Sequence, residues 1–295
     1  MNKHPFFKRL LATLALVGMV LIVYLLWARP NQLRWGATKD EVTRPMPGDE
    51  LDLTPTFLAT RAITINGTPQ EIWPWLLQMG YGRAGFYGYD ILENLGSPRG
   101  IHSANSILLE FQHFKVSDKV PISPFAEDVF YAIQPIQYLI WAGQMKQNPG
   151  GFIWALYPLD KNHTRLVNRI LWSHHWTRPG LLALELLTEF SDYLAIRKIL
   201  QGVKDRVEGR IEPFYKSTVE FAIYLAALLV FIAALIIILA RPFSRQRWLA
   251  GLGAGIGWLI TWYTPMPLWG AALAEILVLI GLFRAFHRTS RRKMT

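Results

Sequence analysis

The 295-residue chain contains no cysteine. That excludes disulfides and thiolate-bound metals, and it suits an oxidising compartment without requiring one. Phosphate-cradling and nucleophile signatures are also missing: there is no P-loop, no Gly-x-Ser-x-Gly elbow and no His-Glu-x-x-His helix. The glycine-rich run Gly251-Leu252-Gly253-Ala254-Gly255-Ile256-Gly257 fails the dinucleotide pattern because Ile256 occupies its last glycine position. The run lies in an apolar stretch, where small residues four apart suit close helix packing. His174-His175 is the only adjacent histidine pair. Neighbours on a strand point to opposite faces and cannot share one ion without a bend, so a hydrogen-bonded histidine at a strand end is the simpler reading. Neither a metal nor another cofactor is expected.

Acidic residues are missing where basic ones cluster, and that pattern frames the long apolar runs. Residues 10–27, 221–240 and 248–264 carry no charge, and residues 268–283 carry only Glu275. A helix needs about 20 apolar residues to cross a hydrocarbon core of about 30 Å. Two runs meet that length, and the last two, separated by Pro265-Met266-Pro267, read as a tight helical hairpin. Lys3, Lys8 and Arg9 precede the first run, and Arg241, Arg245 and Arg247 follow the second. Arg284, Arg288, Arg291, Arg292 and Lys293 follow the fourth. Four spans with both termini inside place these eleven basic residues on the cytoplasmic side, whereas three spans would place one cluster outside. Glu275, within the fourth run, is a costly place for a carboxylate and is expected to face protein or water.

The remaining 20 Lys and Arg nearly balance the 21 Asp and Glu. The net charge of +10 therefore reflects membrane topology, and a nucleic-acid partner is not expected. A cleaved signal peptide would want small residues three and one before the cut, and Leu25-Leu26-Trp27-Ala28-Arg29-Pro30 offers no such pair. The expected layout is an uncleaved signal anchor over 1–28, a domain over 29–212 and a membrane domain over 213–295. Spans in the last are placed near 217–240, 248–264 and 268–286. The expected location is a cytoplasmic (inner) membrane, multi-pass, with the 29–212 domain on the non-cytoplasmic side.

Within that domain residues 29–56, rich in proline and charge, read as an extended lead-in. Residues 59–66 alternate and are β-branched, which predicts a strand. Thr68-Pro69-Gln70-Glu71 is a capping box with proline at the first helical position, and Gly80 ends the helix it starts. Short helical character near 91–95 precedes strand-like segments at 119–122, 129–134, 137–142, 152–159 and 164–173. Residues 181–207 then form a long amphipathic helix. An antiparallel sheet followed by a long helix predicts an α+β fold in which the helix closes one face of the sheet and leaves a cavity.

Several motifs lie along this order. They are Arg34-Trp35-Gly36-Ala37-Thr38, Arg44-Pro45-Met46-Pro47-Gly48-Asp49, Glu71-Ile72-Trp73-Pro74-Trp75-Leu76 and Gln78-Met79-Gly80-Tyr81-Gly82-Arg83. Gly85-Phe86-Tyr87, Tyr89-Asp90 and Glu93-Asn94 follow. Together they resemble the SRPBCC superfamily of START-like helix-grip proteins, specifically its bacterial polyketide cyclase/dehydrase-like branch, over about residues 34–208. Asn105 stands where an aspartate is expected in relatives, and the three C-terminal spans exceed what such a domain needs. The resemblance implies a helix-grip fold with an apolar cavity for lipids or other hydrophobic small molecules, and it implies no single reaction.

The segment 81–90 is the expected cavity mouth. Trp73, Met79, Tyr81, Arg83, Phe86, Tyr87 and Tyr89 are the candidate ligand-binding residues. Tyr89, Asp90 and His102 are the candidates for acid–base chemistry. Against these stands the reading that the tyrosines cap the helix pair and that Arg83 pairs with Asp90 or Glu93. The expected function is non-catalytic binding of a hydrophobic molecule or lipid by a membrane-anchored domain. A cyclase- or dehydratase-like enzyme and a membrane-complex assembly protein are the alternatives.

Overall fold

The structure, a computed structural model, describes residues 5–94, 100, 102–143, 150–173, 179–263 and part of 269–284. His174, His175 and Glu275 lie outside the described residues. The chain divides into two compact units, Gln32–Thr218 and Met1–Asn31 with Val219–Thr295.

The larger unit is built on one sheet. Its strands are β1 (Phe57–Asn66), β2 (Lys119–Ser123), β3 (Ala126–Gln134), β4 (Tyr138–Gly143), β5 (Gly151–Pro158) and β6 (His163–Trp172). They pair antiparallel in the order β1-β6-β5-β4-β3-β2. Two helices, α4 (Pro69–Leu77) and α5 (Asp90–Glu93), intervene between β1 and β2, and α6 (Pro179–Val207) follows β6. The α4 capping box forms as expected: Thr68 Oγ1 accepts from Glu71 N at 3.3 Å, and Glu71 Oε2 accepts from Thr68 N at 2.7 Å.

Side chains alternate between the two faces of the sheet, and both faces are buried. The inner face presents Phe57, Leu166, Ile170, Trp154, Leu156, Leu139, Trp141 and Phe130 to α4 and to Ile196, Ile199, Leu200 and Val203 of α6. The outer face presents Ala62, Val167, Leu171, Ile153, Ala155 and Ile140, and Met46 covers them. That cover is the segment expected to be an extended lead-in. It carries instead the helix α3 (Lys39–Thr43), started by a second capping box in which Thr38 and Glu41 exchange bonds. The signature Thr38-Lys39-Asp40-Glu41 was in the sequence, and the surrounding proline and charge obscured it. The segment is held down because two arginines on β6 reach it. Arg165 pairs with Glu41 at 2.7 Å and Arg169 with Asp49 at 2.7 Å.

The smaller unit contains α1 (Pro5–Val23), which runs through a π-helical turn (Tyr24–Ala28) into α2 (Arg29–Leu33), and most of α7 (Phe214–Ala240) and α8 (Arg245–Tyr263). Arg9 Nη1 donates to Ala240 O at 3.0 Å, and Trp248 Nε1 donates to Ala12 O at 2.9 Å. The start of α1, the end of α7 and the start of α8 therefore share one end of this unit, where Arg9, Arg241, Arg245 and Arg247 gather. Trp27 meets Tyr263 edge-on at 6.0 Å at the other end. Gly251 and Gly255 set the spacing of the three helices. A Cβ at Gly251 would lie 2.7 Å from Ile238 and 3.1 Å from Leu16, and one at Gly255 would lie 2.7 Å from Val20 and 2.8 Å from Phe231.

Among the described residues two helices are long and apolar enough to cross a membrane, Pro5–Leu33 and Tyr215–Ala240. The expected count of about four is thus corrected to two shown. In α8 the glycines that permit packing contribute little hydropathy, and Arg245, Gln246 and Arg247 occupy its first turn. The fourth run, 268–283, is helical where described but is described only in part.

Candidate functional site

The turn after α4 is built around buried polar anchors. Gln78, fully buried, accepts from Leu108 N at 2.9 Å and donates to Ser106 O at 3.2 Å, tying the 106–108 segment beneath the helix. Gly80 and Gly85 pair as an isolated bridge, which folds residues 81–84 into a tight loop. Tyr87 follows in a left-handed conformation with φ of 62°, unusual for a residue with a side chain. Its conformation is fixed from three sides. Tyr87 N donates to Ser103 Oγ at 3.0 Å, Tyr87 Oη donates to Trp75 O at 3.1 Å, and the Arg206 guanidinium lies 4.4 Å over its ring. Gly202 of α6 completes the fit, since a Cβ there would stand 2.1 Å from Tyr87 O. Burial raises the Tyr87 hydroxyl above its ordinary range.

Glu93, at the end of α5, folds back onto this loop. Its Oε2 accepts from Phe86 N at 3.1 Å and its Oε1 from Gly88 N at 3.3 Å. Burial, reinforced by the nearby Asp90 carboxylate, pushes the Glu93 carboxyl up to about 7.

Two cavities flank the loop, and Gly88 borders both. The first, about 410 Å³, lies between the inner face of the sheet and α6, a size suited to a small apolar ligand. Its walls are Trp141 and Phe152, 6.3 Å apart, and Trp154, 5.6 Å from Trp141, with Phe86, Tyr89, Ile122 and Leu92. From α6 come Ser191, Asp192, Ala195, Ile196 and Ile199, the spacing of one helical face. Two carboxylates interrupt this apolar lining, Glu93 and Asp192. Asp192 Oδ2 accepts from Arg61 Nη1 at 2.7 Å, and the Arg61 side chain on β1 is fully buried. Burial raises the Asp192 carboxyl, with Arg61 opposing and Glu189 adding to the rise.

The second cavity, about 240 Å³, is polar and is lined by Asp90, His102, Ser103, Lys198, Asp205 and Arg206 among others. Asp90 accepts from Ser103 Oγ at 2.6 Å, Ser103 N at 3.2 Å and His102 Nδ1 at 3.3 Å. The carboxylate therefore sits between the serine and the histidine. A serine hydroxyl that donates to a carboxylate has no imidazole base to activate it, so this trio is not a nucleophilic relay. Arg206 is fully engaged, donating to Ala104 O at 2.7 Å, Gly202 O at 3.1 Å and Asn105 Oδ1 at 3.0 Å. Asn105 thereby ties its loop to α6.

The expected site residues separate into groups. Phe86 and Tyr89 line the apolar cavity and Tyr87 the polar one. Trp73 and Met79 are buried in the core and Tyr81 packs against it, and none of the three lines either cavity. Arg83 borders neither, and it pairs with neither Asp90 nor Glu93. It donates to Leu77 O at 2.5 Å and lies over the rings of Phe114 and Phe111, at 4.0 and 5.2 Å. Burial lowers its guanidinium to about 10. Of the acid–base candidates, Tyr89 faces the apolar cavity while Asp90 and His102 face the polar one. Sequence reasoning missed Trp141, Phe152, Trp154, Asp192, Ala195 and Arg61. The alternation of Leu139 with Trp141 and of Phe152 with Trp154, read for its inward face, was the signal available for the sheet residues. Among the described residues no cluster of metal-ligating side chains is present.

No family model matches the chain, and no curated protein matches it. Solved structures similar to it include a polyketide cyclase-like protein from Corynebacterium glutamicum, with 12% identity, a TM-score of 0.32 and coverage of 51% of this chain and 91% of that one. A START superfamily protein from Mycobacterium smegmatis has 11% identity, a TM-score of 0.31 and coverage of 52% and 99%. A conserved protein of unknown function from Enterococcus faecalis has 17% identity, a TM-score of 0.29 and coverage of 54% and 79%.

Proposed function

We propose that residues 32–218 bind a hydrophobic small molecule or lipid in the cavity between the sheet and α6, without chemistry on it. The observation that carries this reading is the cavity itself, about 410 Å³ walled by Trp141, Trp154, Phe152 and Phe86. Affinity would come from removing the ligand's apolar surface from water, at roughly 25 cal/mol per Å² before the costs of ordering. The enzymatic alternative is disfavoured because Asp90 and His102 open onto the polar cavity, on the other side of Gly88 from the apolar space. The test is to purify the full chain in mild detergent and identify co-purifying apolar molecules by mass spectrometry. Ala195→Phe, which fills the cavity from α6, is expected to abolish that cargo while leaving helix content unchanged. A wild-type chain that carries nothing beyond its detergent belt, or an A195F chain that keeps its cargo, would sink the idea.

The same proposal places the chain in a cytoplasmic membrane, with both termini in the cytoplasm and residues 32–218 on the other side. Two apolar helices support the anchoring, and α8 packs on both through its glycines. The gathering of Arg9, Arg241, Arg245 and Arg247 at one end supports the orientation. Because the chain has no cysteine, Ser123→Cys and Ser290→Cys can each be labelled alone in intact cells. An impermeant maleimide is expected to modify the first and spare the second, and the reverse result would invert the topology.

A further inference from the structure

Charged side chains are sorted between the two cavities that flank residues 86–88. Lys198, Arg206 and His102 line the polar one. The apolar one is lined by Glu93 and Asp192 and, among the described residues, by no basic side chain. Both carboxylates keep the capacity to accept more. A carboxylate offers about four lone-pair sites, and Glu93 uses two of them, on Phe86 N and Gly88 N. Asp192 gives Oδ2 to Arg61, and its side chain is still 7% exposed. Gly88 leaves a Glu93 oxygen uncovered on the cavity side. A Cβ there would lie 3.0 Å from Glu93 Oε1 and 3.6 Å from Ile199 Cγ1. Ile199 lines the apolar cavity and not the polar one. The space that a side chain at Gly88 would fill therefore adjoins both that oxygen and the apolar wall.

The walls favour the same charge. Trp141, Trp154, Phe152, Phe86 and Tyr89 wall the space, and an ammonium is drawn to aromatic rings, more strongly where water is excluded. A ligand anion would meet two carboxylates and no lining cation, a repulsion that a dry setting magnifies. A neutral ligand would leave both carboxylates against hydrocarbon, the costly surroundings for a charge. Arg61 pairs with Asp192 and not with Glu93, and Arg206 acts on Glu93 only through space. Buried Glu189 adds its negative charge near Asp192. Burial raises both lining carboxyls, and a cation brought into the space would act in the opposite direction.

We infer that the ligand of the apolar cavity is a protonated amine on a hydrocarbon body, its ammonium seated at the Glu93 carboxylate with Asp192 adding to the field. The inference rests on the hydrophobic-binding reading above and adds the ligand's charge and chemical class to it. Binding of octylammonium, octan-1-ol and octanoate is compared by calorimetry at neutral pH on the full chain in phosphatidylcholine nanodiscs, with empty nanodiscs as reference. Octylammonium is expected to bind about tenfold tighter than the alcohol, the scale of one charge-assisted hydrogen bond, and octanoate weakest of the three. Glu93→Gln, which removes the charge, is expected to shrink the ammonium's lead over the alcohol about fivefold. Gly88→Ala, which covers Glu93 Oε1 and keeps the carboxylate, carries the same expectation should E93Q fail to fold. Equal binding of alcohol and ammonium would overturn the charge assignment and leave hydrophobic binding standing. Octanoate binding tightest would overturn the inference outright. A lead that persists undiminished in both variants would remove the ammonium from Glu93, and the inference with it. No binding of any probe would remove both the inference and the reading beneath it.

Discussion

Arg169 and Arg61 are buried guanidinium groups on opposite faces of one sheet, and their surroundings differ in kind. Arg169, on the outer face, uses all of its nitrogens. Nε donates to Thr60 at 3.0 Å, Nη1 to both oxygens of Asp49 and to Arg44 O, and Nη2 to Glu41 O and Val42 O. Arg165 beside it is equally engaged, reaching Glu41, Thr64 and Gly36 O. Arg61, on the inner face, donates Nε to Gln32 O at 2.7 Å and Nη1 to Asp192, and leaves Nη2 without a partner. A clasp that closes a segment onto a sheet satisfies its donors within the chain. The outer face is clasped by Arg165 and Arg169, and the inner face borders the cavity proposed to hold a ligand.

Removing a clasp should therefore cost more stability than any change to the cavity. Arg169→Met leaves Asp49 without its partner and three backbone carbonyls without donors. The expected loss is about 2 kcal/mol, chiefly the buried hydrogen bonds of the guanidinium, because the Asp49 carboxylate left behind is partly exposed and water can solvate it. Urea unfolding of the full chain in detergent, followed by the fluorescence of the sheet tryptophans, measures it. A loss below about 1 kcal/mol, the range of surface ion pairs, would mean that the 38–49 segment is only loosely applied to β6.

The two faces were also unequally legible in the sequence. The strands, the α4 cap and the long α6 followed from alternation, a four-residue capping signature and helical spacing, because local chemistry fixes those features. The cover on the outer face was missed. Its cohesion comes from Arg165 and Arg169, more than a hundred residues away, and only the sheet register brings them to Glu41 and Asp49. The site suffered the same limitation. Choosing Trp73, Met79, Tyr81 and Arg83 rested on their nearness in sequence to an aromatic loop. The cavity is instead assembled from β4, β5 and one face of α6, which meet only in the folded state. Four spans were expected where, among the described residues, two helices meet the length and composition required. Glycines that bring α8 against its neighbours lower the very hydropathy by which a span is recognised.

Acidity distinguishes the faces as well. On the outer face burial acts to raise the Glu41 carboxyl, but Arg165 and the Thr38 amide outweigh it and hold the group below its ordinary value. That side loses its ion pair only as pH falls below the usual carboxylate range. On the inner face Glu93 is raised from 4.5 to about 7, so the folded chain holds a proton there that the unfolded chain has released. The folded state then binds more protons than the unfolded one between pH 4.5 and 7, and stability must fall as pH rises through that window. The contribution is fully present below pH 4.5 and is lost by about pH 7, with a span of about 3 kcal/mol for a shift of this size. Glu93→Gln, which stays neutral but keeps one acceptor oxygen for two amides, is expected to flatten this slope and to leave one of the Phe86 and Gly88 amides less protected from hydrogen exchange than in wild type. Urea midpoints taken from pH 5 to pH 8 for both chains read the effect directly. Parallel pH profiles in the two chains would mean that Glu93 is ionised throughout and that its loop needs no proton to stay closed.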